Sequence, residues 1–383
     1  MIGRLWPYIL GGVALGLDAY VIAGLLPRIA GDLDAEPGTI GLGVAAFTAA
    51  YAIAGPLLAG RAGRQPRRGL IAALAVFTLA NVGTALSPAA WMFLVARLIA
   101  GAAAGVYSPL ASAVAVAESG PERRGRALSL VLSGLALGTV AGVPIGMLLA
   151  EAASWRGTML LVTAVGAVAL GGIALRRGHP LAPIPASSAG DRLRMLARRP
   201  NLLTVLVTLL TAVASLGLYT YADAVISRTA LAGSTTSALW IWGIGGAIGA
   251  FGVGHLVDRA HRPMRLTLAI TLTLALTLAG VAIGRPLPLL VIALAAWGML
   301  GWASLAPQQH TLLSANPDDG ATAVAANASA NYLGAAIGSA GGAALLAAGA
   351  DGAHLALAAA GAAVLAAATQ ALRMGLGPHP AAA

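Results

Sequence analysis

The chain has 383 residues, of which 58% are hydrophobic and 9% charged, with a mean hydropathy of +0.85. A soluble domain carries roughly 25% charged residues, so this charge content excludes a soluble surface of this size and leaves lipid as the main solvent. The net charge is +10, every basic residue is Arg, and there is no Cys, which excludes disulfides and thiolate chemistry.

A spanning helix needs about 20 predominantly apolar residues. Twelve runs satisfy this, at about 5–26, 40–60, 69–87, 89–117, 127–150, 157–175, 202–224, 234–256, 265–284, 286–307, 320–348 and 352–372. The first is too long for a signal core and is read as a retained span. Several joints are very short, as at Gly284-Arg285-Pro286, and short joints make consecutive helices antiparallel neighbours. The Arg residues fall in the breaks between runs, which argues for membrane orientation and against a nucleic-acid surface. Eighteen of them, among them Arg4, Arg61, Arg64, Arg67, Arg68, Arg192, Arg194 and Arg373, lie on one side, and only Arg28, Arg156, Arg228 and Arg285 on the other. The asymmetry predicts cytoplasmic termini. Lys-free, Ala- and Gly-rich usage suggests a bacterial source, hence an inner membrane.

The longest break, 176–201, holds Pro180, Pro183, Pro185 and a basic stretch from Asp191 to Arg199. It reads as a cytoplasmic linker between a bundle at 1–175 and a second at 202–383, its basic stretch a surface helix on anionic lipid. The halves repeat: Gly60-Arg61-Ala62-Gly63-Arg64 follows the second span and Asp258-Arg259-Ala260-His261-Arg262 the eighth, 198 residues on. The expectation is an all-α membrane protein of twelve transmembrane helices in two pseudo-symmetric six-helix bundles, an architecture of transporters.

Ionisable groups at membrane depth cost about 2.5–3.5 kcal/mol on insertion scales and mark functional sites. Asp18, two-thirds along the first span, reads as a proton or cation site; the plainer alternative is a carboxylate bonded to helix neighbours. Arg97, one-third into the fourth, is a permanent cation, able to tune a nearby acid, bind an anionic group or tie helices together. A direct Asp18–Arg97 pair is one arrangement open to them. Asp223 closes the seventh span as an outer-cavity acid or a solvated end residue. Tyr20, Tyr219 and Tyr221 offer aromatic faces with polar tips to a substrate cavity or to an interfacial belt. Asn327 and Asn331, four apart, share a face and either bind a polar substrate or hold helices together. Gly134, Gly138, Gly142 and Gly146 form a ladder on one helix face that admits close helix approach, and Pro144 bends it. Arg61, Gly63 and Arg64, with Asp258, Arg259 and Arg262, read as cytoplasmic latches or as plain orienting charge. The six His residues form no metal-ligand pattern, and no Ser-His-Asp array, phosphate loop or cofactor fingerprint is present; no cofactor is expected, and neither enzymatic nor ATP-driven chemistry.

The ordered motifs resemble the major facilitator superfamily, and within it the twelve-helix drug:proton antiporters of the branch containing bacterial chloramphenicol-resistance and arabinose-efflux permeases. They are Val21 to Ala30; Arg97-Leu98-Ile99-Ala100-Gly101 with Gly105; Gly134 to Gly138 and Gly142-Val143-Pro144-Ile145-Gly146, then Trp155-Arg156; Tyr219-Thr220-Tyr221; Trp297-Gly298; Pro307-Gln308-Gln309; and Asn327, Ser329, Asn331 and Tyr332-Leu333-Gly334. The chain departs from the family pattern at Gly60, where an Asp is usual, at Ala19 between Asp18 and Tyr20, and at Ala222-Asp223-Ala224, where a Pro is common. The resemblance implies proton coupling through Arg97 and reads the fifth-span glycines as the antiporter motif, favouring export. The expected function is proton-coupled export of small amphipathic compounds by a monomer, its partners being the substrate, protons and the bilayer. A sugar or metabolite exporter is the alternative, and a non-transporting scaffold or sensor the third.

Overall fold

A computed structural model describes residues 2–119, 124–176, 189–227, 229–260, 262–283, 286–316 and 320–376. They form two compact units, Met1–Ser188 and Ala189–Ala383. The described part of the first holds α1 (Ile2–Asp32), α2 (Pro37–Gly63), α3 (Pro66–Ala85), α4 (Ala90–Ala117), α5 (Arg124–Leu137), α6 (Val143–Ala152) and α7 (Trp155–Ala174). That of the second holds α8 (Ala189–Leu196), α9 (Arg199–Ala212), α10 (Ala222–Ile226), α11 (Thr235–Ala260), α12 (Pro263–Ala282), α13 (Leu287–Ala303), α14 (Leu305–Ala315), α15 (Gly320–Ala347) and α16 (Gly352–Gly375).

Ten stretches among the described residues are both long and apolar enough to cross a membrane. α11 and α15, of 26 and 28 residues, are also long enough for a hydrocarbon core of about 30 Å at about 1.5 Å per residue. The twelve expected spans thus fall on helices, three of them interrupted. Span five is α5 and α6 joined by a π-helical turn, Gly138–Gly142. Span seven is α9 followed by a π-helical turn, Val213–Gly217, and then α10. Span ten runs through α13 and α14. The joint at 284–285 lies outside the described residues.

Local sequence explains the ends. Pro sits in the first turn of α2, α3, α9, α12 and α13, where its missing N–H is no loss and its φ is already helical. Ser154 caps α7 by accepting from the Gly157 N–H at 3.3 Å, and Asp351 caps α16 by accepting from His354 N–H at 3.1 Å. Leu79, Leu276 and Ile292 stand exposed on helix surfaces, as lipid-facing side chains do.

Small residues set the packing. A Cβ on Gly134 would lie 2.2 Å from the Ile9 carbonyl oxygen and one on Gly138 2.2 Å from that of Val13. α1 answers with glycines of its own: a Cβ on Gly16 would lie 2.2 Å from the Leu135 oxygen. Helices α1 and α5 therefore touch backbone to backbone. The second unit repeats this 200 residues on: Cβ atoms on Gly334 and Gly338 would meet the carbonyl oxygens of Leu209, at 2.2 Å, and Val213, at 2.6 Å. The packing offset exceeds the loop offset by two residues, so the loops, free of this constraint, differ in length.

The basic stretch after the linker is a short helix, α8, held by protein contacts. Met195 is buried with Val205, Leu312, Ala323, Ala326 and Ala330, and Arg192 donates to Ser329 Oγ at 2.7 Å and to the Ala325 carbonyl at 3.3 Å. Leu193 and Arg194 point outward there, as side chains of a lipid-surface helix would.

Candidate functional site

Four helices of the first unit converge on one charge pair. Arg97 of α4 donates from Nη1 to Asp18 Oδ1 at 2.5 Å and from Nη2 to the Asp18 carbonyl at 3.2 Å. The two side chains are 1% and 0% exposed. α2 supplies Phe47, whose ring centroid lies 4.4 Å from the guanidinium carbon, a cation–π cover that partly offsets lost hydration. α3 supplies Asn81, whose Nδ2 donates to Asp18 Oδ2 at 3.4 Å and to the Phe77 carbonyl at 3.1 Å. Space for the Arg97 stem comes from Gly43, where a Cβ would lie 3.3 Å from Arg97 Cγ. Arg97 Nε and Asn81 Oδ1 have no hydrogen-bond partner. The pair is thus desolvated but incompletely satisfied, which makes it a weak source of stability. Tyr20, two residues beyond Asp18, is buried, with Tyr51 of α2 as its electrostatic neighbour.

The second unit has no such pair at the equivalent positions. The 200-residue offset sets Trp297 opposite Arg97 and Leu218 opposite Asp18. Trp297 Nε1 donates to Ser215 Oγ at 3.1 Å. Its ring meets Trp242 edge-on at 6.3 Å, and Trp242 lies 4.2 Å from Tyr219 in a tilted stack. Tyr221 donates its hydroxyl to the Ser339 carbonyl at 2.6 Å, so its polar tip serves to tie the seventh span to α15.

Below this cluster lies a buried polar knot. The Thr208 hydroxyl faces Asn327 Oδ1 at 2.6 Å and, closer still, Gln308 Oε1. Gln308 Nε2 donates to the Ser304 carbonyl at 3.1 Å, which fixes its orientation. One hydroxyl has one proton, and Asn327 Nδ2 is unpartnered. Turning the Asn327 amide lets Nδ2 donate to Thr208 while Thr208 donates to Gln308. Asn331, one turn on, is half-buried.

The remaining expected residues sit apart. Asp223 accepts from the Thr235 hydroxyl, linking α10 to α11. Arg61 and Arg64 are exposed and Gly63 is buried, while Arg262 is exposed at the start of α12. The side chains of Asp258 and Arg259 lie outside the described set, so that latch has no described geometry. Gly142 and Gly146 continue the ladder against Leu17 and Val21, where Cβ atoms would meet side chains at 3.3 and 2.9 Å. Pro144 follows the π-helical turn, whose last hydrogen bond runs from the Val143 N–H to the Gly138 carbonyl.

Sequence reasoning missed Asn81, Phe47, Thr208 and the α1 glycines. An amide inside an apolar run was signal enough for Asn81; Gly12-x-x-x-Gly16 was signal enough for the reciprocal ladder. Phe47 carries no such mark.

The sequence matches the profile of the Major Facilitator Superfamily over residues 8–339. The chain belongs to the major facilitator superfamily. It is therefore a multi-pass membrane protein of a family that transports small molecules. It is 27% identical over 353 residues to the inner membrane transport protein YdhP of Escherichia coli K12, covering 89% of this chain and 88% of the relative. It is 33% identical over 258 residues to a chloramphenicol resistance protein of Streptomyces lividans, covering 64% of each, and 24% identical over 265 residues to a probable sugar efflux transporter of Helicobacter pylori, covering 68% and 67%. Among solved structures it superposes on the xylose transporter XylE from E. coli, in a partially occluded inward-open conformation, with a TM-score of 0.74 at 18% identity, over 98% of this chain and 97% of that one. This likeness fixes the major facilitator fold.

Proposed function

We propose that this chain is a proton-coupled exporter of small amphipathic compounds that works by alternating access, as a monomer in a bacterial inner membrane with both termini cytoplasmic. The observation that carries the reading is the buried Asp18–Arg97 pair. Arg97 keeps its proton, so Asp18 is the member that switches. Ionised, Asp18 binds the guanidinium and joins α1 to α4; protonated, it releases that hold and leaves an uncompensated cation, which favours a different helix arrangement. Cycling Asp18 between the two aqueous phases would couple one conformation to proton uptake and the other to proton release. Asp223, near the outer end of the seventh span, is the second acid assigned to this cycle. The Gly134 to Gly146 ladder with Pro144 supports export, through its likeness to the antiporter motif.

Substrate contacts are assigned to Tyr20, Tyr219, Tyr221, Asn327 and Asn331, and the cytoplasmic latch to Arg61, Gly63, Arg64, Asp258, Arg259 and Arg262. Mostly aromatic and aliphatic surroundings, with the chloramphenicol resistance relative, support a lipophilic cargo. The Thr208–Gln308–Asn327 knot and the sugar efflux relative support a second reading, an exporter of a sugar or another polar metabolite. The test is uptake into proteoliposomes under an imposed pH gradient, with chloramphenicol and xylose as competing probes. Gradient-driven chloramphenicol flux that vanishes in Asp18→Asn while the variant stays folded supports the reading. Undiminished gradient-driven flux in that variant overturns the assignment of Asp18.

A further inference from the structure

In the first unit a second polar cluster lies apart from the ion pair. A cavity of about 10 Å³ between α1, α4 and α5 is lined by Tyr8, Gly12, Leu15, Tyr107, Ser108 and Ser112, among others. Its size suits one water molecule, which needs two to four polar partners. The Tyr107 hydroxyl, on a residue 1% exposed, has no hydrogen-bond partner. Its place is kept by Gly11, where a Cβ would lie 2.0 Å from the Tyr107 oxygen. On the far side of the cavity, Tyr8 donates its own hydroxyl to Glu118 Oε1 at 3.0 Å. The Tyr8 oxygen therefore has lone pairs to offer but no proton to give inward.

We propose that this cavity holds a water bridging Tyr107 and Tyr8, and that Tyr107, the water, Tyr8 and Glu118 form a relay carrying protons between the core of the first unit and its Arg-rich end. The donors all point one way: Tyr107 to water, water to Tyr8, Tyr8 to the Glu118 carboxylate. A proton reaching the Tyr107 oxygen displaces that hydroxyl's own proton to the water, the water passes one to Tyr8, and Tyr8 passes one to Glu118. Each oxygen ends with the protons it began with, and Glu118, now a neutral acid, gives its proton to solvent. Rotation of the hydroxyls and the water resets the chain.

The charges around Tyr8 favour this direction of use. Glu118 faces it from the end of α4, Arg67 from α3, and Arg176 from just beyond α7. Arg67 is itself anchored by donating to the Ala174 carbonyl at 3.0 Å, so the cations are held at the end where the proton leaves. Leu15, which lines the cavity, precedes Asp18 by three residues, so the inner end of the relay lies on the same helix as the ion pair. The inference rests on the proton-coupled reading.

Two measurements test it. A density map that resolves waters should show one within hydrogen-bonding distance of both the Tyr107 and Tyr8 oxygens; a cavity without that water overturns the bridge. In proteoliposomes, with chloramphenicol as probe, Tyr107→Phe and Tyr8→Phe should slow gradient-driven uptake at least ten-fold. They should also enlarge the H₂O/D₂O rate ratio, which a packing defect would not, and keep the wild-type melting temperature. Gradient-driven uptake in the wild type that both variants leave unchanged, in rate and isotope ratio, overturns the relay alone. Uptake indifferent to the gradient in the wild type overturns the coupling reading instead.

Discussion

A double-mutant cycle on Asp18 and Arg97 probes the ion pair directly. In Arg97→Gln the Asp18 carboxylate keeps only the long Asn81 contact at 3.4 Å and no counter-charge. Breaking a buried pair from one side costs about 3–5 kcal/mol, and the complete burial of Asp18 places this variant at the upper end. In Asp18→Asn the guanidinium loses its counter-charge but keeps neutral partners in the residue-18 carbonyl and the Phe47 face. This break therefore falls at the lower end of the same range, about 3 kcal/mol. The double variant, Asp18→Asn with Arg97→Gln, leaves two neutral amides facing each other. It should recover about 2–3 kcal/mol relative to the summed single losses, as directly contacting residues do. The assay is reversible denaturant titration of the purified protein in detergent micelles. Single losses that add to within about 0.5 kcal/mol in the double variant would refute the argument, because the two side chains would then act as strangers.

Two further substitutions read the packing. Gly134→Ala drives a methyl against the Ile9 carbonyl and should cost about 1–3 kcal/mol by overpacking, whereas Gly361→Ala, with nothing within 4 Å, should gain roughly 0.5–1 kcal/mol from the helix-interior preference; the same titration checks both. For the docked helix α8, burial lowers the pKa of Arg192 from its ordinary value by desolvation, while its guanidinium donates to Ser329 and to the Ala325 carbonyl. Arg192→Ala should speed amide hydrogen exchange across Ala189–Leu196 several-fold while leaving α15 protected; unchanged exchange there would show that Met195 alone holds the helix.

Much of the architecture is readable from the chain because lipid demands long apolar runs. All twelve runs become helical. The interruptions are less readable: Gly138 to Pro144 announces a weak helix, but the π-helical turn at Val213–Gly217 opens on Val and Ala, and its tertiary feature, the close approach of Gly217 to Gly338, has no local mark. Asp18 and Arg97 stand out singly, since charges are rare at depth. Their union is invisible in sequence, because 79 residues separate them and nothing local sets the rotation of α1 against α4. The Tyr8–Glu118 bond, across 110 residues, is hidden for the same reason. The basic linker stretch was read by charge alone, which favours a lipid surface; a single buried Met and one desolvated Arg turn it toward the protein.

The ion pair also gives the first unit an electrical property of its own. With Asp18 ionised, the pair sums to zero, and a membrane voltage does no work on it. With Asp18 protonated, Arg97 remains as one unbalanced positive charge held at depth. An elementary charge carried across the full potential is worth about 2.3 kcal/mol per 100 mV, so any displacement of the protonated unit along the membrane normal exchanges some fraction of that energy with the field. On the proton-coupled reading proposed above, voltage would then act on this site in the protonated half of the cycle and not in the ionised half.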